Sequence, residues 1–163
     1  MRPPRNVVSI SLNYNKINPF HKDLTLNVND YIRETQDTYF LAVDYHIMPN
    51  EESWEKVKLV LCHLINAWIN IIINTPEDSS VYLPFDFSDQ YIGCIKVEIC
   101  GNDVAITYGF TYAFDGTTLC PSQAVMFIID SDEFVQSKLY PNGIILDKVS
   151  LIDSLKSQIS NLI

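Results

Sequence analysis

Alternating apolar and polar residues predict β-strands at three places along the chain. Residues 7–14 alternate with the period of two that is typical of a half-buried strand, and residues 39–47 do the same until Pro49 ends the run. The polar segment 15–37 contains a shorter alternation, which fits either a short edge strand or a long loop. The alternating apolar residues are, in order, Val8, Ile10, Leu12 and Tyr14, then Leu24, Leu26 and Val28, then Tyr39, Leu41, Val43, Tyr45 and Ile47.

The pair Gly101-Asn102 predicts a β-hairpin with a two-residue type II′ turn. Such a turn pairs Cys100 with Asp103, and this pair sets the register of both strands. In that register all the large apolar residues share one face, whereas a three-residue loop would mix the two faces. The residues predicted to face the core are Ile95, Val97, Ile99, Val104, Ile106 and Tyr108.

Apolar residues at helical spacing predict two helices, at about 51–74 and about 147–162. Asn50 is a candidate N-cap of the first helix. The most apolar part of this helix is shorter than the roughly 20 residues of a membrane span, so we expect it to be buried in a soluble protein. Its main apolar face is Trp54, Val57, Leu61, Leu64, Trp68 and Ile72, and its narrow polar strip is Glu52, Lys56, His63, Asn66, Asn70 and Asn74.

Two shorter runs complete the predicted elements. Residues 125–129 form a continuous apolar run that fits a buried strand, and residues 144–146 fit a last short strand. Hairpins flanked by two helices predict an α+β fold, with an antiparallel sheet of about five strands and helices on one face. The length of 163 residues fits a single domain over 1–163.

Composition narrows the class of protein. The four cysteines form no C-x-x-C pair and no regular spacing with the three histidines, which argues against a zinc site or a redox motif. We therefore expect neither a metal nor another cofactor. The first residues lack the long apolar region of a secretion signal, so a cytoplasmic location is expected.

The negative charge is concentrated in one stretch. Residues 77–133 hold ten acidic residues against the single base Lys96, a net charge of −9 that equals the charge of the whole chain. Such a field repels nucleic acid and anionic membranes and favours a basic protein partner. A solvated acidic surface that only keeps the protein soluble is the alternative. The sequence does not indicate an oligomeric state.

Catalytic chemistry finds little support. The common nucleophile, phosphate-loop and zinc-protease motifs are absent. The best catalytic candidates are Asp44 and His46, which would share one face of the predicted strand 39–47 and could form an acid–base pair or two metal ligands. A surface ion pair explains the same two residues.

A segment rich in aromatic and acidic residues, 83–91, precedes the predicted hairpin. Tyrosine and phenylalanine beside carboxylates suit recognition of a surface rich in lysine or arginine, although a structured turn would explain the same residues. Together with the rest of the acidic stretch, this segment supplies the candidate partner-binding residues Asp86, Asp89, Tyr91, Glu98, Asp103, Asp115, Asp130, Asp132 and Glu133.

The sequence is thus that of a small acidic α+β chain without catalytic motifs and with an acidic middle. A characteristic segment leads into the predicted hairpin: Tyr82-Leu-Pro-Phe-Asp-Phe-Ser-Asp-Gln-Tyr-Ile-Gly-Cys94. Such a chain resembles the immunity proteins of bacterial polymorphic and contact-dependent toxin systems. The resemblance implies a non-catalytic protein that neutralises a cognate toxin domain, often a basic nuclease, by masking its active site or an exosite. Type III secretion effector chaperones are a second class of small acidic α+β proteins, but their order typically begins with a helix.

Overall fold

The computed structural model describes residues 7–114 and 119–162, and in these ranges it confirms the α+β class. The strands pair antiparallel and form two sheets: the predicted sheet of about five strands is confirmed, and a second sheet of three strands accompanies it. The strands are β1 (Val8–Leu12), β2 (Leu24–Val28), β3 (Ile32–Gln36), β4 (Ser80–Asp86), β5 (Ile92–Cys100), β6 (Asp103–Thr111), β7 (Val135–Gln136) and β8 (Ile144–Asp147). The α-helices are α1 (Tyr39–Ala42), α2 (Trp54–Ile73) and α3 (Lys148–Leu162).

The smaller sheet has the order β1-β2-β3; β1 is the predicted first strand, and β2 and β3 lie in segment 15–37, which the sequence left open between strand and loop. β2 is its central strand, and Leu24, Leu26 and Val28 are buried. Asn29 and Asp30 adopt left-handed φ angles of +51° and +58° in the loop between β2 and β3, a conformation that these two residue types tolerate. The alternation in this segment therefore marks a true strand.

The larger sheet contains β4, β5 and β6 in order, and both β7 and β8 pair with β6. The predicted hairpin register is confirmed, because Cys100 pairs with Asp103 and the pairing continues without interruption to Ile92. Gly101 has a φ of +66°, as the first turn position requires. The six predicted core residues of this hairpin are each 5% exposed or less.

The long helix α2 begins three residues later than predicted. Ser53 is the N-cap, and its Oγ accepts a hydrogen bond from the backbone N of Lys56 at 3.1 Å. Asn50, the predicted cap, instead has a φ of +72° in the preceding loop. The loop before α2 is therefore three residues longer than predicted.

Helix α2 is a core helix, as predicted. Leu61, Leu64 and Trp68 are fully buried, and Trp68 Nε1 donates to the carbonyl of Pro84 at 3.0 Å. Two residues differ from the sequence expectation: Trp54 is only partly buried, and Lys56 is 1% exposed because its ammonium donates to the carbonyl of Glu51. By length and composition alone α2 could cross a membrane, but half of its apolar window is buried inside the protein.

Helix α3 covers the outer edge of the smaller sheet. Val7 N donates to Ser154 Oγ at 3.0 Å, and Ile10 N donates to Gln158 Oε1 at 3.1 Å. These bonds explain why two polar side chains of α3 are buried. The predicted amphipathic helix at 147–162 is confirmed to within one residue.

Two predicted strands are wrong. Residues 39–47 form the short helix α1 followed by a loop, because Thr38, Leu41 and Ala42 are buried at helical spacing, while Asp44 is buried in the loop. Residues 125–129 begin inside a 3₁₀ segment, Pro121–Met126, continue as irregular chain, and do not pair with a strand. Phe127 and Ile129 are nevertheless buried, since they cover Tyr82 on the second face of the larger sheet. Val125, Met126 and Ile128 are exposed, so the prediction of a buried run holds only for Phe127 and Ile129, and the predicted strand does not form.

Candidate functional site

A cleft of about 260 Å³ opens where β3 of the smaller sheet meets the core face of the larger sheet at one end. β3 contributes Glu34 and Gln36, β4 contributes Asp86, and the end of β6 contributes aromatic residues. The residues that determine its chemistry are Glu34, Asp86, Tyr91, Tyr108, Phe110 and Tyr112. The cleft is thus acidic and walled by aromatic rings.

A β-bulge in β4 places Asp86 in this cleft. Pro84 pairs with Cys94, but Asp86 pairs with Gly93, so β4 holds one residue more than β5 at this point. A regular strand would put Asp86 opposite Ile92, which packs in the second apolar cluster on the other sheet face. The extra residue reverses the direction of the side chain, a common role of bulges beside functional sites.

Gly93 keeps the floor of the cleft open. A Cβ atom at this position would lie 2.5 Å from Tyr108 Oη and 2.8 Å from Asp86 Cβ, both closer than real contacts allow. The absence of a side chain at Gly93 therefore lets the Tyr108 hydroxyl and the Asp86 side chain converge on the same space.

The two carboxyl groups of the cleft are harder to ionise than exposed ones. Burial raises the pKa of Asp86 from 3.8 to about 6, the nearby Tyr91 hydroxyl acts in the opposite direction, and the charges of Glu34 and Asp37 raise the pKa further. Burial also raises the pKa of Glu34, and the neighbouring Tyr140 hydroxyl offsets part of this rise. Desolvation is the dominant cause at both sites.

A compensating cation is missing in the part of the chain that the structure describes. Within it, the ion pairs are His21 with Asp37, Lys58 with Glu55, and Lys96 with Glu98, none of which includes Asp86 or Glu34. The amide of Gln36 lies beside Asp86, and with its nitrogen turned toward the carboxylate it donates to both oxygens at 3.2 Å. A neutral amide only partly offsets the desolvation of a charge.

Aromatic rings form one wall of the cleft and continue to its rim. The rings of Tyr91 and Phe110 lie 6.4 Å apart between centroids, and those of Phe110 and Tyr112 lie 5.5 Å apart, both edge to face. Tyr91 is 39% exposed and Tyr112 is 58% exposed, so ring surface remains available to a partner. Such surfaces suit both apolar contact and cation–π contact.

The structure brings only some of the predicted residues together. Asp86 and Tyr91 line the cleft, and Asp89 is exposed in the turn that joins β4 to β5. Glu98 pairs with Lys96 at 3.0 Å, and Asp103 lies at the far hairpin end opposite Asp147. Asp115 lies outside the described residues. The acidic stretch is therefore continuous in sequence but dispersed in space.

Three predicted acids lie at the second 3₁₀ segment, Ser131–Glu133: its N-cap Asp130, Asp132 and Glu133. Asp130 and Glu133 form a capping box, in which the backbone N of Asp130 donates to Glu133 Oε1 at 2.8 Å. Asp132 is exposed between them. The carboxylates of Asp130 and Glu133 thus serve the local backbone.

Sequence reasoning missed Glu34, which precedes the acidic stretch. Its only signal was its position in β3, two residues after buried Ile32, on the strand face that contains Ile32. A carboxylate on the apolar parity of a strand indicates either an exposed strand end or a site.

Asp44 and His46, the catalytic candidates, do not share a strand face. Asp44 is 1% exposed, and it accepts hydrogen bonds from Ser122 N at 2.8 Å and Ser122 Oγ at 2.9 Å, as well as from the backbone N of His46. The His46 ring stacks on Tyr45, with 4.2 Å between centroids. Asp44 therefore anchors the 3₁₀ segment Pro121–Met126, and its expected partnership with the imidazole of His46 on one strand face is wrong.

Among residues 7–114 and 119–162, no group of three or more His, Cys, Asp or Glu residues could hold a metal ion. Cys62, Cys94, Cys100 and Cys120 are all free thiols.

No protein-family model and no curated protein matches this chain. Among solved structures, it is similar to a chain of the CdiA-CT/CdiI toxin and immunity complex from Enterobacter cloacae. The sequence identity is 14%, the TM-score is 0.45, and the match covers 85% of this chain and 86% of that chain. At this TM-score the similarity assigns neither the fold nor the function.

Proposed function

We propose that this protein is a non-catalytic cytoplasmic binding protein that neutralises a basic toxin domain, such as a nuclease, by masking its active site or an exosite. The observation that supports the proposal is the pair of desolvated carboxyl groups, Asp86 and Glu34, in an aromatic cleft. The choice of a toxin as the partner follows from the sequence resemblance to immunity proteins.

Two fully buried carboxylates of this protein, Asp23 and Asp44, have a structural role, unlike the partly buried Asp86 and Glu34. Asp23 is 1% exposed and accepts two hydrogen bonds from Thr38, at 3.0 Å from its N and 2.7 Å from its Oγ1. Asp44 is similarly satisfied by Ser122. Among the described residues, the donors that reach Asp86 and Glu34 are neutral side-chain groups, and they do not offset the desolvation that opposes ionisation in the free protein. A cation from a partner would reverse that penalty.

The alternatives are less well supported. Asp44, on which the enzyme hypothesis rested, is committed to structural hydrogen bonds. The first element of the described chain is the strand β1, whereas effector chaperones of type III secretion typically begin with a helix.

The test is capture of the partner from the source cell, followed by binding kinetics. The double variant Asp86→Lys with Asp89→Lys should weaken binding of the captured partner by about 2–5 kcal/mol, because like charges then face each other. The control is Asp153→Lys with Glu52→Lys, two exposed acids outside the acidic stretch, which should change binding by less than about 0.5 kcal/mol. Asp23 would be an unsuitable control because it is buried.

Association should also slow as salt increases, since long-range charge accelerates the encounter. Co-expression supplies the functional result: the parent should protect cells from the captured partner, and the cleft variant should not. A neutral or acidic partner, or equal damage by the control pair, would contradict the proposal.

A further inference from the structure

We propose that the cleft is a receptor for one arginine side chain, presented by the basic partner at the centre of the interface. This inference rests on the proposed function and adds the chemical identity of the group that fills the cleft. The cleft offers negative charge, aromatic surface and an unused hydroxyl within one space of about 260 Å³.

The Tyr108 hydroxyl supports this proposal independently of charge, because it is a neutral hydrogen-bonding group. Tyr108 is 5% exposed, lines the cleft, and approaches Gly93 so closely that a methyl group there would lie 2.5 Å from Oη. Within residues 7–114 and 119–162 no protein group forms a hydrogen bond with this hydroxyl, whose oxygen is accessible from the cleft. A ligand that donates a hydrogen bond would satisfy it.

The acceptors of the cleft are spread around its wall. The Asp86 carboxylate comes from the β4 bulge, the Glu34 carboxylate comes from β3, and the Tyr108 oxygen comes from β6. A guanidinium group presents five N–H donors in a planar fork and can reach several acceptors at once. An ammonium group has three donors around one point and is more strongly hydrated, so it gains less from a dispersed set.

The aromatic wall also favours arginine over lysine as the ligand. Tyr91, Phe110 and Tyr112 present ring surface from the cleft to its exposed rim. A planar guanidinium stacks on such rings, and the three methylene groups of arginine pack against the rest of the wall. Negative charge alone would bind any cation, whereas negative charge beside aromatic rings favours arginine over lysine.

The experiment titrates the intact protein with N-acetyl-arginine amide and, in parallel, with N-acetyl-lysine amide at pH 7.5. Binding is followed by backbone amide chemical shifts. We expect shifts at Gly93, Gly109 and Tyr112 with a dissociation constant of about 1–10 mM for the arginine compound, the scale of a small fragment. The lysine compound should bind at least about fivefold more weakly.

Two variants identify the contacts. Asp86→Asn should weaken binding of the arginine compound by about tenfold or more, because a hydrogen bond to a charged group is lost. Tyr108→Phe should weaken it by about three- to fivefold. The matched control Asp132→Asn removes an equal charge from the exposed turn and should leave the dissociation constant unchanged.

Equal affinity for the two compounds, shifts confined to other surfaces, or an unaffected Asp86→Asn variant would each overturn the inference. None of these results depends on a captured partner. A basic partner whose binding is insensitive to Asp86→Asn would preserve the proposed function while removing the arginine receptor. If the arginine compound binds but the source cell contains no basic partner, the arginine receptor would be supported and the proposed function would be contradicted.

Discussion

Two acidic regions of this protein use their carboxylates in opposite ways. In the 3₁₀ turn, Asp130 and Glu133 cap the backbone, are exposed to solvent and need no further partner. In the cleft, Asp86 and Glu34 are desolvated beside aromatic rings, and burial raises the pKa of both. Counting charges along the sequence treats the two regions alike. Desolvation therefore distinguishes the two regions, whereas total charge does not.

Asp86→Asn should have the largest effect on stability and should increase it. At pH 7 the folded protein holds a desolvated carboxylate, and replacing it with a neutral amide of the same shape removes that penalty. The expected gain in the free energy of unfolding is about 1–3 kcal/mol, measured by urea unfolding. Loss of stability would show that the ionised carboxylate supports the fold, as it does at Asp23.

The pH dependence of this gain has a definite sign. Asp86 has a pKa of about 6 in the folded protein against 3.8 ordinarily, so the folded state binds this proton more tightly than the unfolded state. The parent protein should therefore lose stability from this group as pH rises from about 4 through 6. The advantage of the variant should be full above pH 7 and absent below about pH 4. Glu34, Asp37 and Tyr91 face this carboxyl group and set the position of the transition.

Glu133→Ala should have a smaller effect on stability and should decrease it. It removes the acceptor that Asp130 N uses at 2.8 Å, so the free energy of unfolding should fall by about 0.5–1 kcal/mol. Because this charge already serves the backbone, binding of the arginine compound should not change. A Glu133→Ala variant that gains stability, or that weakens arginine binding, would erase the distinction between the two regions.

The hairpin and helix α2 could be predicted because short-range sequence patterns determine both elements. Gly101 takes a positive φ, and the register that follows buries every large apolar residue on one face. The short helix α1 could not be predicted in the same way. Residues 39–47 alternate like a strand, but the buried contacts of Thr38 with Asp23 and of Asp44 with Ser122 come from distant parts of the chain.

The cleft was predicted only in part for a similar reason. Asp86 and Tyr91 were recognised from the mixture of aromatic and acidic residues in one segment. The bulge that directs Asp86 to the core face depends on pairing with β5, and the contribution of Glu34 depends on how the two sheets meet. Neither feature leaves a local pattern in the sequence. Conversely, Asp103, Asp130 and Glu133 were grouped with Asp86 by sequence proximity and lie outside the cleft lining.

The most direct test of the unsatisfied charge is the titration of the Asp86 carboxyl carbon by NMR in the free protein. The structure predicts a pKa of about 6, set mainly by burial, and a lower pKa once the arginine compound occupies the cleft. Asp86→Asn identifies the resonance by its absence. A pKa near 3.8 in the free protein, unmoved by the arginine compound, would show that solvent or the protein itself already satisfies this carboxylate, and it would contradict the account.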